Sequence, residues 1–171
     1  MKKLAIGFSK PRGWFKPFSW AIRLMERTPY SHVYIKAHSD SLDVDLIYQA
    51  SGAQVNFMGI QHFNDHAKTL YEFEFEISDE KYKQFMQWAI INSGADYSIK
   101  QPLGILLIKL FNLKRNPFDN GRCAWVCSEL VGYFLVSCMG VYISDINLEI
   151  VGPIDIFKLC QKYFKPIEVN I

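Results

Sequence analysis

Ser31-His32-Val33-Tyr34-Ile35-Lys36-Ala37 sets apolar Val33, Ile35 and Ala37 against His32, Tyr34 and Lys36 in strict alternation. A period of two is that of a strand, so the stretch predicts a strand over 31–37 with the histidine off the apolar face. Far downstream, Cys127-Ser128-Glu129-Leu130-Val131 opens a second informative stretch. There Cys127, Leu130, Val131, Phe134, Leu135 and Cys138 share one helical face, which predicts a helix over 124–138 with Cys127 in its first turn. A strand histidine and a helix-start cysteine together look like the two halves of a nucleophilic pair, here in the order His before Cys.

Working outward, residues 3–8 read as a short strand and 18–27 as a helix stopped at Thr28-Pro29, because proline restricts the residue before it. Strands over 46–50 and 55–58 follow, making an antiparallel meander with 31–37. Residues 69–77 alternate Leu70, Glu72, Glu74 and Glu76 with Tyr71, Phe73, Phe75 and Ile77, a strand with one wet face. Ser78 caps a helix with Asp79 and Glu80 at its positive end, and Gly94 closes it. Further helices are expected over 102–111, very apolar and read as packed core, and from Gly152-Pro153 to about 162. A polar loop spans 112–122, and 166–171 adds an edge strand. The fold class is α+β, a mostly antiparallel sheet with helices around it, in one domain over 1–171.

The composition bounds the function. Half of the 171 residues are apolar, with 13 Phe, 9 Tyr and 4 Trp, which is a folding composition with material for a core. The formal net charge of +2 gives no reason to expect a nucleic-acid partner. The charge is uneven, however: Lys2, Lys3, Lys10, Arg12, Lys16, Arg23 and Arg27 face a single acid, Glu26, in the first 27 residues. Such an edge is either simply solvated or meets an anionic surface. The opening Met1-Lys2-Lys3 followed by Leu4 to Phe8 is too short an apolar run for a signal peptide, and no stretch is long enough to span a bilayer. The expectation is a cytoplasmic protein whose four cysteines are thiols.

Cys127 has two readings. Free cysteine is among the most buried residue types, so the residue is either core or, at a helix start whose N–H groups lower a thiol pKa and can hold an oxyanion, a nucleophile. Cys123 lies one turn earlier in an expected loop, and Cys138 and Cys160 occupy apolar helical positions. His32 would serve as the base that makes the thiolate and later protonates the leaving group. Gln49, on the neighbouring strand, could accept the other imidazole N–H or face solvent, and His38 and Asp45 are alternatives for that role. His62 and His66 are four apart but lack the glutamate base and third ligand of a zinc site, so no metal or other cofactor is expected. Glycine-rich phosphate loops and a Gly-x-Ser-x-Gly elbow are absent.

These segments, taken with Leu46-Ile47-Tyr48-Gln49-Ala50, resemble the circularly permuted NlpC-type papain-like cysteine hydrolases, a group related to the lecithin:retinol acyltransferase-like proteins. The resemblance runs from about residue 3 to 162. It implies a permuted papain-like fold with Cys127 as nucleophile, His32 as base and Gln49 as the polar third member. Two departures stand out: Tyr34 replaces a small residue and would narrow the cleft, and Gln49 stands where many relatives carry glutamate. The implied activity is hydrolysis of an amide bond in a peptide or peptidoglycan-type substrate. Two alternatives are lipid-directed thioester chemistry at an anionic membrane surface, drawing on the apolar 103–111 segment, and a non-catalytic binding or virion-associated module of bacterial or phage type.

Overall fold

The structure, a computed structural model, describes residues 1–13, 16–52, 54–98, 100–111, 113, 115–118, 124–141 and 147–168. Its centre is a sheet of the order β7-β6-β4-β3-β2-β1-β5-β8. The strands are β1 (Lys2–Pro11), β2 (His32–Ser39), β3 (Val44–Ser51), β4 (Gln54–Gly59), β5 (Ala67–Ile77), β6 (Asp96–Tyr97), β7 (Ala124–Trp125) and β8 (Pro166–Glu168). Every pairing is antiparallel except β6 with β7. The helices are α1 (Pro17–Glu26), α2 (Ile60–His66), α3 (Asp79–Asn92), α4 (Lys100–Phe111), α5 (Cys127–Ser137) and α6 (Pro153–Tyr163), with a 3₁₀ turn at Leu148–Ile150. The architecture is mixed α+β around a mostly antiparallel sheet, and the meander β2-β3-β4 is the one the alternation anticipates.

Strand alternation sends Leu4, Ile6 and Phe8 of β1 and Val33, Ile35 and Ala37 of β2 to one face of the sheet. There they meet Phe85 and Ala89 of α3, Leu130, Val131, Phe134 and Leu135 of α5, and Ile156 and Leu159 of α6. Full burial of each large side chain contributes about 1.5–3 kcal/mol, so this layer is the main source of stability. The opposite face carries a smaller cluster, Tyr34, Ile47 and Phe63, covered by α2. On that face the middle of β1 offers small residues, Ala5, Gly7 and Ser9, and the Tyr34 ring lies across Gly7.

The departures from expectation have local causes. The helix expected from 124 starts at Cys127, because Ala124 and Trp125 pair with β6 and the Trp125 carbonyl accepts the Ser98 N–H at 3.0 Å. The α4 helix starts two residues early at Lys100, where the Ser98 hydroxyl accepts the Gln101 N–H at 3.1 Å. Pro102 is then in the first turn, where its missing N–H has no intrahelical partner to lose. The α2 helix is an addition, too short to show a clear period. Expectations for 112, 114, 119–123 and 169–171 lie outside the described residues. As anticipated, Ser78 caps α3 by accepting the Lys81 N–H at 3.2 Å, and Gly94 follows its end with φ +85°. No helix among the described residues is long and apolar enough to cross a membrane.

A methyl group at Gly7 would sit 2.1 Å from the Tyr34 ring. That ring cannot swing freely, because its hydroxyl is held by Thr69 at 2.8 Å and Glu72 at 2.9 Å. Gly7→Ala is therefore expected to lose about 2 kcal/mol of stability through overpacking, measured by urea unfolding. An unchanged midpoint would show that the ring shifts at little cost.

Candidate active site

The β2–β3 register sets Ile35 opposite Tyr48. Continued by one place, it puts Gln49 across from Tyr34 and makes His32 its diagonal neighbour on the same face, within reach of long side chains. His32 Nε2 lies 2.8 Å from Gln49 Oε1. An amide oxygen only accepts, so Nε2 carries the hydrogen and Nδ1 keeps its lone pair. The amide is itself oriented: it is 3 % exposed, and its N–H donates to the Met58 sulfur at 3.7 Å.

Cys127 arrives at the same place on α5. It is the first residue of that helix, after Val126 at the N-cap, which has no capping side chain. The leading N–H groups of the helix consequently lack intrahelical partners. Those of Cys127 and Ser128 interact with the sulfur, and so does the N–H of Val33 on β2. Val33 follows His32, so this contact ties the thiol to the strand of the histidine. Ser128 is engaged elsewhere, donating its hydroxyl hydrogen to the Val151 carbonyl at 2.7 Å and fixing the start of α5.

Cys127 and His32 line one cavity of ≈ 50 Å³, room for only a few waters. Ser31, Tyr97 and the 126–128 segment form its walls together with Gly152 and Pro153, while Ile22 and Glu26 of α1 and Pro102 and Ile105 of α4 close it. Among the described residues no hydrogen bond joins the sulfur to the imidazole; the two groups face a shared space instead.

Enclosure dominates the electrostatics. Burial pushes the Cys127 thiol up to about 11, against the opposing pull of the backbone N–H groups of Val33, Ser128 and Cys127 itself, and Glu26 adds to the rise. Burial lowers His32 to about 4, with the Gln49 hydrogen bond acting in the other direction. At neutral pH the resting pair is a thiol and a neutral imidazole. The helix start does favour the thiolate, as its position suggests, but desolvation outweighs it.

The structure brings together Cys127, His32 and Gln49. It leaves His38 and Asp45 paired with each other, at 2.9 Å, in a separate groove with Lys36 and Glu74. Tyr34 does not line the cavity: its ring is directed over β1 toward Thr69 and Glu72, so it narrows nothing there. Cys138 and Cys160 are buried free thiols in the main core, and Cys123 and Trp14 lie outside the described residues. His62 and His66 share α2 with ring centroids 4.6 Å apart, and the His66 Nδ1–H donates to the His62 carbonyl. No group of three or more His, Cys, Asp or Glu among the described residues could hold a metal ion.

Two cavity residues carried no signal in the sequence. Tyr97 is close enough to Cys127 for the two to interact; burial first, then the sulfur, raises its hydroxyl. That keeps Tyr97, a residue of the cavity lining, protonated. Glu26 turns inward and accepts the Ile154 N–H at 2.9 Å at the start of α6. No protein-family model matches the chain, and no curated protein matches it.

The His32 shift has a stability consequence. Its folded value of about 4 lies below the unfolded value of about 6.5, so on acidification the unfolded chain takes up the proton first. The contribution is complete above about pH 6.5 and is lost between there and about 4, by at most about 3 kcal/mol. His32→Gln is expected to show a flatter stability profile than the native protein over that window, measured by urea unfolding at fixed pH. Parallel profiles would mean the imidazole is as easily protonated folded as unfolded.

Proposed function

We propose that the chain is a cysteine hydrolase with a permuted papain-like arrangement, in which Cys127 is the nucleophile, His32 the general base and acid, and Gln49 the group that orients the imidazole. The observation that carries this reading is the shared cavity of Cys127 and His32, with Nε2 committed to Gln49 and Nδ1 left to exchange a proton. The resemblance of the three motifs to NlpC-type hydrolases supports it independently and makes an amide of a peptide or peptidoglycan-type substrate the first class to test.

The chemistry runs as follows. His32 Nδ1 takes the thiol proton as the sulfur attacks the carbonyl carbon. Separately, burial penalises each charge; formed side by side, thiolate and imidazolium offset one another. The developing oxyanion is met by the N–H groups at the start of α5 and by the Tyr97 hydroxyl. The C–N bond breaks as the imidazolium hands its proton to the departing amine, leaving a thioester on Cys127. Imidazole then takes a proton from water, the hydroxide attacks the thioester, and the carboxylic acid leaves as the proton returns to sulfur.

A lipid ester or amide is the second reading, supported by the exposed apolar side chains on the two helices that close the cavity. Hydrolysis of peptide amides and of phospholipids, measured side by side, separates the two substrate classes.

The primary test is the pH profile of Cys127 alkylation by iodoacetamide. The expected result is alkylation at neutral pH faster than a lone thiol titrating near 11 would give, because His32 takes the proton as the sulfur reacts, and falling about tenfold or more in His32→Ala. Gln49→Glu adds an anion beside the ring, so it should raise the imidazole pKa and increase reactivity near neutral pH. A single rise toward pH 11, identical in native and His32→Ala protein, would identify a buried structural thiol and leave a binding module as the reading.

A further inference from the structure

The α1 helix lacks the burial that helices of this size normally have. None of its residues is buried, and Phe18, Trp20 and Leu24 are 48 %, 59 % and 61 % exposed. It packs against α4, which buries Ile105 and Ile108 but exposes Leu103, Leu110 and Phe111, the last two at 64 %. Trp20 and Leu24 share one face of α1 with Lys16 and Arg27 beside them, and large apolar side chains grouped in water mark an interaction surface.

Charge states what that surface would meet. Segments 10–27 and 98–118 together hold nine Lys and Arg against one acid, Glu26, while the rest of the chain holds 10 against 16. Glu26 faces inward and accepts the Ile154 N–H. Lys16, Arg27, Lys100 and Arg115 are exposed and form no salt bridge among the described residues. Aromatic and aliphatic side chains flanked by cations suit the boundary of an anionic bilayer, where the apolar groups enter the acyl region and the cations meet phosphates. An acidic protein partner would match the charge but gives less reason for Trp20, Leu24, Leu110 and Phe111 all to be left in water.

We propose that the α1–α4 surface docks on an anionic lipid bilayer. The same two helices supply Ile22, Glu26, Pro102 and Ile105 to the cavity; Ile22 and Glu26 lie about half a turn round α1 from Trp20 and Leu24, so the docking stripe is the outer face of that helix. The proposal does not rest on the thiol chemistry.

The test is co-sedimentation of full-length Cys127→Ala with vesicles of phosphatidylcholine alone and of phosphatidylcholine mixed with phosphatidylglycerol. Use of that variant keeps docking separate from turnover. Binding is expected only to the mixed vesicles and should be released by salt. Lys16→Gln/Arg27→Gln should bind about tenfold or more weakly, each cation near such a surface contributing about 1 kcal/mol. Trp20→Ser/Leu24→Ser should lose binding with its thermal unfolding unchanged, because both side chains are already exposed. Absence of binding to the mixed vesicles, or equal binding to both kinds, would overturn the proposal. So would a dimer without lipid binding that Trp20→Ser/Leu24→Ser dissociates, which would assign the surface to a second copy of the chain.

Discussion

The packing of α5 across β2 and β3 is the contact on which the rest of the structure depends. Leu130, Val131, Phe134 and Leu135 are essentially inaccessible to solvent between the sheet and α6. Because helix residues rise about 1.5 Å each, seating these four side chains also fixes where the helix starts. Its first residue is Cys127, and the start lies over the beginning of β2, where the Val33 N–H meets the sulfur. The site thus inherits its precision from the core. A change that shifted α5 by a fraction of a turn would cost stability and would separate the thiol from the strand that carries the histidine.

Enclosure gives this site both its geometry and its resting state. The amide of Gln49 can hold the imidazole in one tautomer because Gln49 is buried and His32 half-buried, so water competes less for the hydrogen bond. Burial also makes an isolated thiolate or imidazolium costly, which is why Cys127 is pushed up and His32 down. A carboxylate in place of Gln49 would ease imidazolium formation at the cost of burying a charge in the resting protein. The amide orients the ring without that charge.

Much of this was legible in the sequence, for definite reasons. Period-two alternation in 31–37 and 69–77 reported strands whose two faces differ, and antiparallel neighbours then placed Gln49 beside His32. Other features could not be read. In 103–111 almost every position is apolar, so no stripe indicates which face is buried; the expected core helix leaves Leu103, Leu110 and Phe111 in solvent. Alternation placed Tyr34 on the face of His32, but the direction of its ring depends on Gly7, a residue on another strand. The two-residue strands β6 and β7 are too short for any periodic signal. The cavity is lined from α1, α4, α5 and the segments at 31–32, 97 and 152–153, a convergence with no local signature.

The elements that close the cavity are held differently from those that build it. The β1–β2–β3 layer and α5 are joined by ladder hydrogen bonds and a continuous apolar core. By contrast, α1 has no buried residue; its contacts include the Ser19–Ser31 hydrogen bond at 2.6 Å, the Ile154 N–H donated to Glu26, and packing on α4. Segments with little buried apolar surface sit at the low end of a protein's local stability range. Cys127, His32 and Gln49 stand on α5, β2 and β3, and α1 adds Ile22 and Glu26 to the lining around the first two. Cys127, His32 and Gln49 thus stand on the core layer, while part of the lining around them comes from the one helix with no buried residue among those whose burial is described.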